Sequence, residues 1–159
     1  MSTVCLDTQI IYWGLVGRAP SAKQHHLVDH AQALFRQLDA EGHRVLVPTI
    51  VVGELLVPLP EAERAFFLEE ISKAWMLVGY NVQAALWFAR IRGDKMTEKR
   101  LRTLQKEAHA TRKELVADVM ILATALAHHA DILYSHDAKL RHLATDWLET
   151  KDFLPPSTR

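Results

Sequence analysis

Cysteine is nearly absent: Cys5 stands alone, so no disulfide can close within the chain, and a reducing compartment, the cytoplasm, is expected. No apolar run reaches the roughly 18–20 residues of a membrane-spanning helix, which argues against a membrane protein. Asp7 interrupts the N-terminal apolar stretch too early for a secretory leader. Net charge is also missing. With 19 Lys and Arg against 19 Asp and Glu, a coat protein that holds nucleic acid by bulk charge is disfavoured. Nine histidines are present, but none follows HExxH or another zinc-ligand spacing, so they read as surface or partly buried residues. Repeats, low-complexity tracts and interdomain linkers are lacking as well. The 159 residues therefore read as one domain, 1–159, able to bury about 70% of the unfolded surface in a single core.

What the chain does contain is short apolar runs alternating with helical periodicity. Strands are expected at Thr3 to Leu6, Arg44 to Val47, Trp75 to Val78 and Asp131 to Tyr134. Helices are expected at Gln9 to Val16, Ser21 to Glu41, Glu61 to Lys73, Asn81 to Arg92, Glu114 to His129 and Ala138 to Leu148. Gly17, Ala19, Pro20 and Ser21 mark a loop, Gly42 stands where a helix C′ residue belongs, and Pro155-Pro156 begin a tail over 155–159. Pro48 should end its strand, and Thr49 should cap the helix that bears Glu54. Strands that are nearly all apolar are covered on both faces. The expected fold class is α/β, a three-layer α/β/α sandwich around a central parallel sheet of about four to five short strands.

Charge is unevenly spread. From Arg90 to Lys113 there are nine Lys and Arg against Asp94, Glu98 and Glu107, a local net of +6, and the remainder nets −6. Such a basic helical segment suits contact with the phosphates of a polyanion; a solvated helix of mixed charge is the plainer reading. Arg92, Lys95, Lys99, Arg100, Arg102, Lys106, Arg112 and Lys113 are the candidate contacts to such phosphates.

Four acids sit at turning points of apolar stretches: Asp7 after Val4-Cys5-Leu6, Glu54 after Thr49 to Gly53, Asp118 inside Leu115 to Ala127, and Asp137 after Ile132 to His136. Each has a plainer reading: Asp7 and Asp137 as helix caps, Glu54 as a solvated acid, Asp118 as a structural residue. Taken together they suggest a shared counter-charge, because burying an unpaired carboxylate costs several kcal/mol. Oxygen-only ligands select Mg²⁺ or Mn²⁺ over zinc. Glu114, one helical turn before Asp118, is a supporting acid on the same face. An aspartyl phosphatase is disfavoured, since Gln9 stands where a second Asp would be needed.

Leu6-Asp7-Thr8, Gly53-Glu54-Leu55-Leu56, Ala117-Asp118-Val119-Met120-Ile121 and Leu133-Tyr134-Ser135-His136-Asp137 resemble, in order and approximate spacing, the four acidic motifs of PIN-domain nucleases. Among these, bacterial VapC-type toxins are nearest in size. The resemblance implies a metal site of Asp7, Glu54, Asp118 and Asp137 that cuts single-stranded or structured RNA. Thr8 and Ser135 match hydroxyl positions that orient the neighbouring carboxylates. A homodimer and a cognate antitoxin protein are implied as partners. His136 stands where the family more often has Arg, and the segment from Gly93 to Arg112 is longer than in a compact toxin. The alternative is a non-catalytic module that keeps the fold and binds RNA or protein.

Overall fold

The computed structural model describes residues 1–18 and 21–154; Ala19 and Pro20 of the expected loop and the tail 155–159 lie outside them. Five strands, β1 (Thr3–Leu6), β2 (Arg44–Pro48), β3 (Met76–Val78), β4 (Ile132–Tyr134) and β5 (Glu149–Lys151), form one sheet in the order β3-β2-β1-β4-β5. Every pairing is parallel, and Cys5 lies between Leu46 and Leu133 in register. Val4, Cys5 and Leu6 are all buried although successive strand residues point to opposite faces. Both faces of β1 are therefore covered, as a sandwich requires.

Helix positions follow local sequence. In α2 (His25–Ala40) Leu27, Ala31, Leu34 and Leu38 form the buried stripe, and Gly42 at φ +68 supplies the left-handed turn that ends it. Asn81 caps α5 (Val82–Gly93), Asp94 both closes α5 and caps α6 (Lys95–Glu107), and Thr111 with Glu114 forms a capping box on α7 (Arg112–Ala127). Leu115, Val119 and the run Ile121 to Ala125 are buried on nearly all sides, because α7 packs against α5, α3 (Thr49–Leu56), α8 (Ala138–Leu143) and β2.

Some boundaries differ from expectation. The first helix, α1, begins at Thr8 and after Ile11 loosens into a π-helical turn over Tyr12–Val16. There Gly14 lets the Phe35 ring approach so closely that an added Cβ would lie 2.2 Å from Cε2. A 3₁₀ turn, Ala22–Gln24, precedes α2. Pro48 completes β2 by pairing with Val78 and itself precedes α3 (Thr49–Leu56), so Thr49 is the first helical residue and not the cap. The fixed φ of proline serves both roles, extended at the strand end and pre-set for helix entry. Helix α4 spans Glu61–Ala74. The last helix, α8, stops at Leu143 rather than Leu148, and Glu149–Lys151 forms the unexpected fifth strand, at the sheet edge, where polar residues are tolerated. No helix among the described residues is long and apolar enough to cross a membrane.

Candidate active site

After β1 the chain moves outward to β2 and β3, then returns to the other side of β1 as β4. That reversal puts a crevice beyond the C-terminal ends of β1 and β4, the usual place for a ligand in an open parallel sheet. Asp7 follows β1 directly, and Ser135, His136 and Asp137 follow β4. Glu54 comes from the second turn of α3 and Asp118 from the second turn of α7. The four acids expected from sequence meet in one open cleft of about 250 Å³, with Thr8, Gln9, Glu114, Ala117 and Lys139 completing its lining.

Asp7 is held most firmly. Its Oδ1 accepts from the Thr8 amide at 2.8 Å and its Oδ2 from the Ser135 hydroxyl at 2.7 Å, in a position only 7% exposed. The Ser135 Oγ in turn accepts from the Asp137 amide at 3.1 Å, so one hydroxyl ties the ends of two strands together. Thr8 Oγ1 donates to Glu54 Oε2 at 2.8 Å. Asp137 caps α8 by accepting from the Lys139 amide at 2.9 Å. The plainer reading of Asp7 and Asp137 as caps is thus true of their backbone partners, and the same side chains also line the cleft. Thr8 and Ser135, the hydroxyl residues singled out by the family resemblance, hydrogen-bond to Glu54 and Asp7 respectively.

The electrostatics of the cleft are unbalanced. Burial, then the charges of Asp137, Asp7 and Glu54, push the Asp118 carboxyl up to about 8, with Lys139 opposing. Burial likewise raises Asp7, the Glu54 and Asp137 charges add to it, and the hydrogen bonds from Ser135 and Thr8 act the other way. Asp118 Oδ2 is buried without a hydrogen-bond partner. Such an orphan costs roughly 1–3 kcal/mol or more when charged, and one lysine is the only cation in the lining. An all-oxygen donor set with surplus negative charge fits a hard divalent cation. As the side chains stand, no three His, Cys, Asp or Glu among the described residues form a finished ligand set; the oxygens line an open cleft.

Other expectations meet different outcomes. Glu114 lies at the rim and accepts from the Thr111 amide at 2.8 Å; that bond, the Thr111 side chain and Lys139 hold it below the usual carboxylate range. It is a cap for α7 first. His136 turns away from the cleft: its Nδ1 meets Asp152 Oδ1 at 3.0 Å, and its ring packs edge-on against Trp13 and Phe153. Of the basic residues, Arg112 and Lys113 line a shelf with Ile50, Val116 and Met120 that shares Ala117 with the acidic cleft. Arg92, Arg102 and Arg112 line a separate hollow with Glu98, and Arg102 pairs with Glu98 at 2.6 Å. Arg100 is engaged with Asp146 at 3.0 Å, and Lys95, Lys99 and Lys106 are exposed on α6. Lys139 was not anticipated; its signal was its place two residues after Asp137 at a helix start.

No protein-family model matches the sequence, and no curated protein sequence does. Solved structures do match. One is VapBC2 from Rickettsia felis bound to a DNA fragment from its promoter, with a TM-score of 0.62 and 14% identity over 94% of this chain and 98% of that one. Another is DNA-bound VapBC from Salmonella typhimurium, with a TM-score of 0.60 and 17% identity over 97% of this chain and 100% of that one. At such identities the likeness speaks for the fold. The fold implied by the four acidic motifs, that of PIN-domain nucleases of VapC type, is the fold this chain shares with chains of both complexes.

Proposed function

We propose that this chain is a Mg²⁺- or Mn²⁺-dependent endoribonuclease of the PIN family that hydrolyses phosphodiester bonds of RNA. The observation that carries the reading is the Asp118 carboxylate, buried at Oδ2 without a partner among three further carboxylates at the switch point of the sheet. Asp7, Glu54, Asp118 and Asp137 would hold the cation. Bound there, Mg²⁺ or Mn²⁺ supplies Lewis-acid neutralisation of the phosphodiester and lowers the pKa of an attacking water. The remaining work belongs to the protein. Ser135 and Thr8 fix Asp7 at both oxygens, and Thr8 also orients Glu54. Lys139 offers a positive charge inside the cleft, and Arg112 and Lys113 offer two more on the adjoining shelf. These cations position phosphates without reading sequence.

The two similar structures are VapBC complexes bound to DNA. On that basis this chain is proposed to act in the cytoplasm as a homodimeric toxin controlled by a cognate antitoxin protein. A small adjoining gene whose product co-purified with this chain would support that assignment.

The decisive experiment incubates labelled RNA with Mn²⁺, with and without chelator, for the wild type and Asp118→Asn. Cleavage by the wild type alone, abolished by chelator and leaving 5′-phosphate and 3′-hydroxyl ends, is expected. Equal cleavage by both proteins would place the activity elsewhere. A 2′,3′-cyclic phosphate product would overturn the mechanism, because it needs no water as nucleophile.

A further inference from the structure

Thr8, Gln9 and Glu54 form a ridge between two hollows. On one side is the acidic cleft; on the other is a hollow of about 310 Å³ whose remaining walls are Tyr12, Trp13, Gln24, Leu55 and Pro58. Thr8 and Tyr12, and Gln9 and Trp13, are each four residues apart across α1 and the π-helical turn that continues it, so consecutive turns make the shared wall and the aromatic one. The two hollows differ in character. Beyond the shared ridge with its Glu54 carboxylate, the second has apolar, aromatic and amide walls, and its size falls at the lower end of small-ligand pockets, roughly 300–1,000 Å³. Gln24 enters from the 3₁₀ turn before α2, and its Oε1 is buried with no hydrogen-bond partner. A buried amide oxygen left unpaired calls for an explanation, and a donor supplied by a ligand is one.

We propose that this hollow is a nucleobase subsite beside the scissile phosphate, in which Gln24 Oε1 accepts an exocyclic amino N–H from adenine or cytosine. The proposal rests on the ribonuclease reading above and names which base that site prefers. Tyr12 supplies a ring face for the base, and stacking of this kind is indifferent to sequence. Discrimination comes from the amide. Adenine and cytosine present an amino group on the pairing edge where hypoxanthine and uracil present a carbonyl, and a carbonyl would set acceptor against acceptor.

The test uses full-length Asp118→Asn protein, so that bound RNA is not consumed, and short single-stranded oligonucleotides followed by fluorescence anisotropy. Exchanging cytidine for uridine, or adenosine for inosine, at one position at a time should weaken binding about three- to tenfold at one position only, the worth of one hydrogen bond. Gln24→Met in the same background should bring the preferred oligonucleotide down to the level of the other. The same substitution should raise Tm, since it removes the orphaned oxygen. Binding that ignores both exchanges, or a preference that survives Gln24→Met, overturns the subsite while leaving the ribonuclease reading intact. Absence of both RNA binding and wild-type cleavage overturns both.

Discussion

Asp118 and Asp152 are both partly buried carboxylates near the end of β4, and they are treated in opposite ways. Asp152 accepts from the Leu154 amide, meets His136 at 3.0 Å and lies 3.6 Å from an Arg141 nitrogen. Asp118 keeps one oxygen buried with nothing to accept. Basic side chains are therefore at hand near Asp137 in sequence, yet His136 and Arg141 turn to Asp152, and Lys139 faces the acids. The molecule does not lack positive charge at this edge. It withholds that charge from the cleft, which is the arrangement the proposed cation site calls for.

The largest break in this contrast should come from Asp118→Asn. Cleavage should fall at least about a hundredfold, beyond the usual effect of losing an outer-shell partner, while the metal-free protein becomes more stable at pH 8. The sign follows from the raised carboxyl. Well below pH 4, Asp118 is protonated in both folded and unfolded chains, and its contribution to stability is fully present. As pH rises toward about 8 the unfolded chain ionises first, and the contribution is lost. Thermal melts of metal-free wild type should thus decline from about pH 4 to pH 8, by an amount on the order of a few kcal/mol. The Asn variant should show a shallower decline, and Mn²⁺ should raise the wild-type Tm more at pH 8 than at pH 5. A metal-free Asn variant that melts below wild type at pH 8 would mean that Asp118 is a stabilising residue after all.

A milder change sharpens the same contrast. Ser135→Ala removes the hydroxyl that orients Asp7, and activity should fall roughly 10- to 100-fold with the fold retained. Replacing Asp152 with Asn acts on the paired side: it should cost about 1–3 kcal/mol of stability by leaving His136 and Arg141 without their charged partner. Its effect on kcat should be small, and a large one would draw His136 into the chemistry. The smallest effect is expected for Arg112→Gln. RNA affinity should weaken evenly across sequences, and the slope of log affinity against log salt should shrink by about 1.

The central architecture was legible because β1, β2 and β4 are apolar runs with no polar alternation, the mark of strands covered on both sides. The acids were legible for the same reason: each interrupts such a run. The fifth strand was not. Glu149, Thr150 and Lys151 pair with β4 through backbone at an exposed edge, so their side chains carry no signal. Pro48 does end its strand, but the same residue is also the helix entry, which displaces Thr49 from the expected cap into the first helical position. The +6 segment was read as one basic surface. Asp94 splits it into α5 and α6, and of its arginines and lysines only Arg112 and Lys113 come to share a wall with the cleft. Periodicity shows that a helix exists, but which neighbour it turns toward is decided by tertiary packing. His136 is the same lesson on a smaller scale, since its partner Asp152 lies on a different segment.

The central position of β1 also bears on how the molecule opens. Asp7 directly follows β1, the middle strand of the five, and its own amide donates to the Tyr134 carbonyl at 3.1 Å. Amides in such a strand exchange with solvent only through the rarest, most global openings, whereas rim elements exchange through local fraying. Asp7 is thus anchored to the last part of the fold to come apart. The exposed Glu54 side chain and the short 3₁₀ turn carrying Gln24 belong to its more yielding margin. Under the proposed function, RNA would be admitted by movement at that margin while the central carboxylate stays in place.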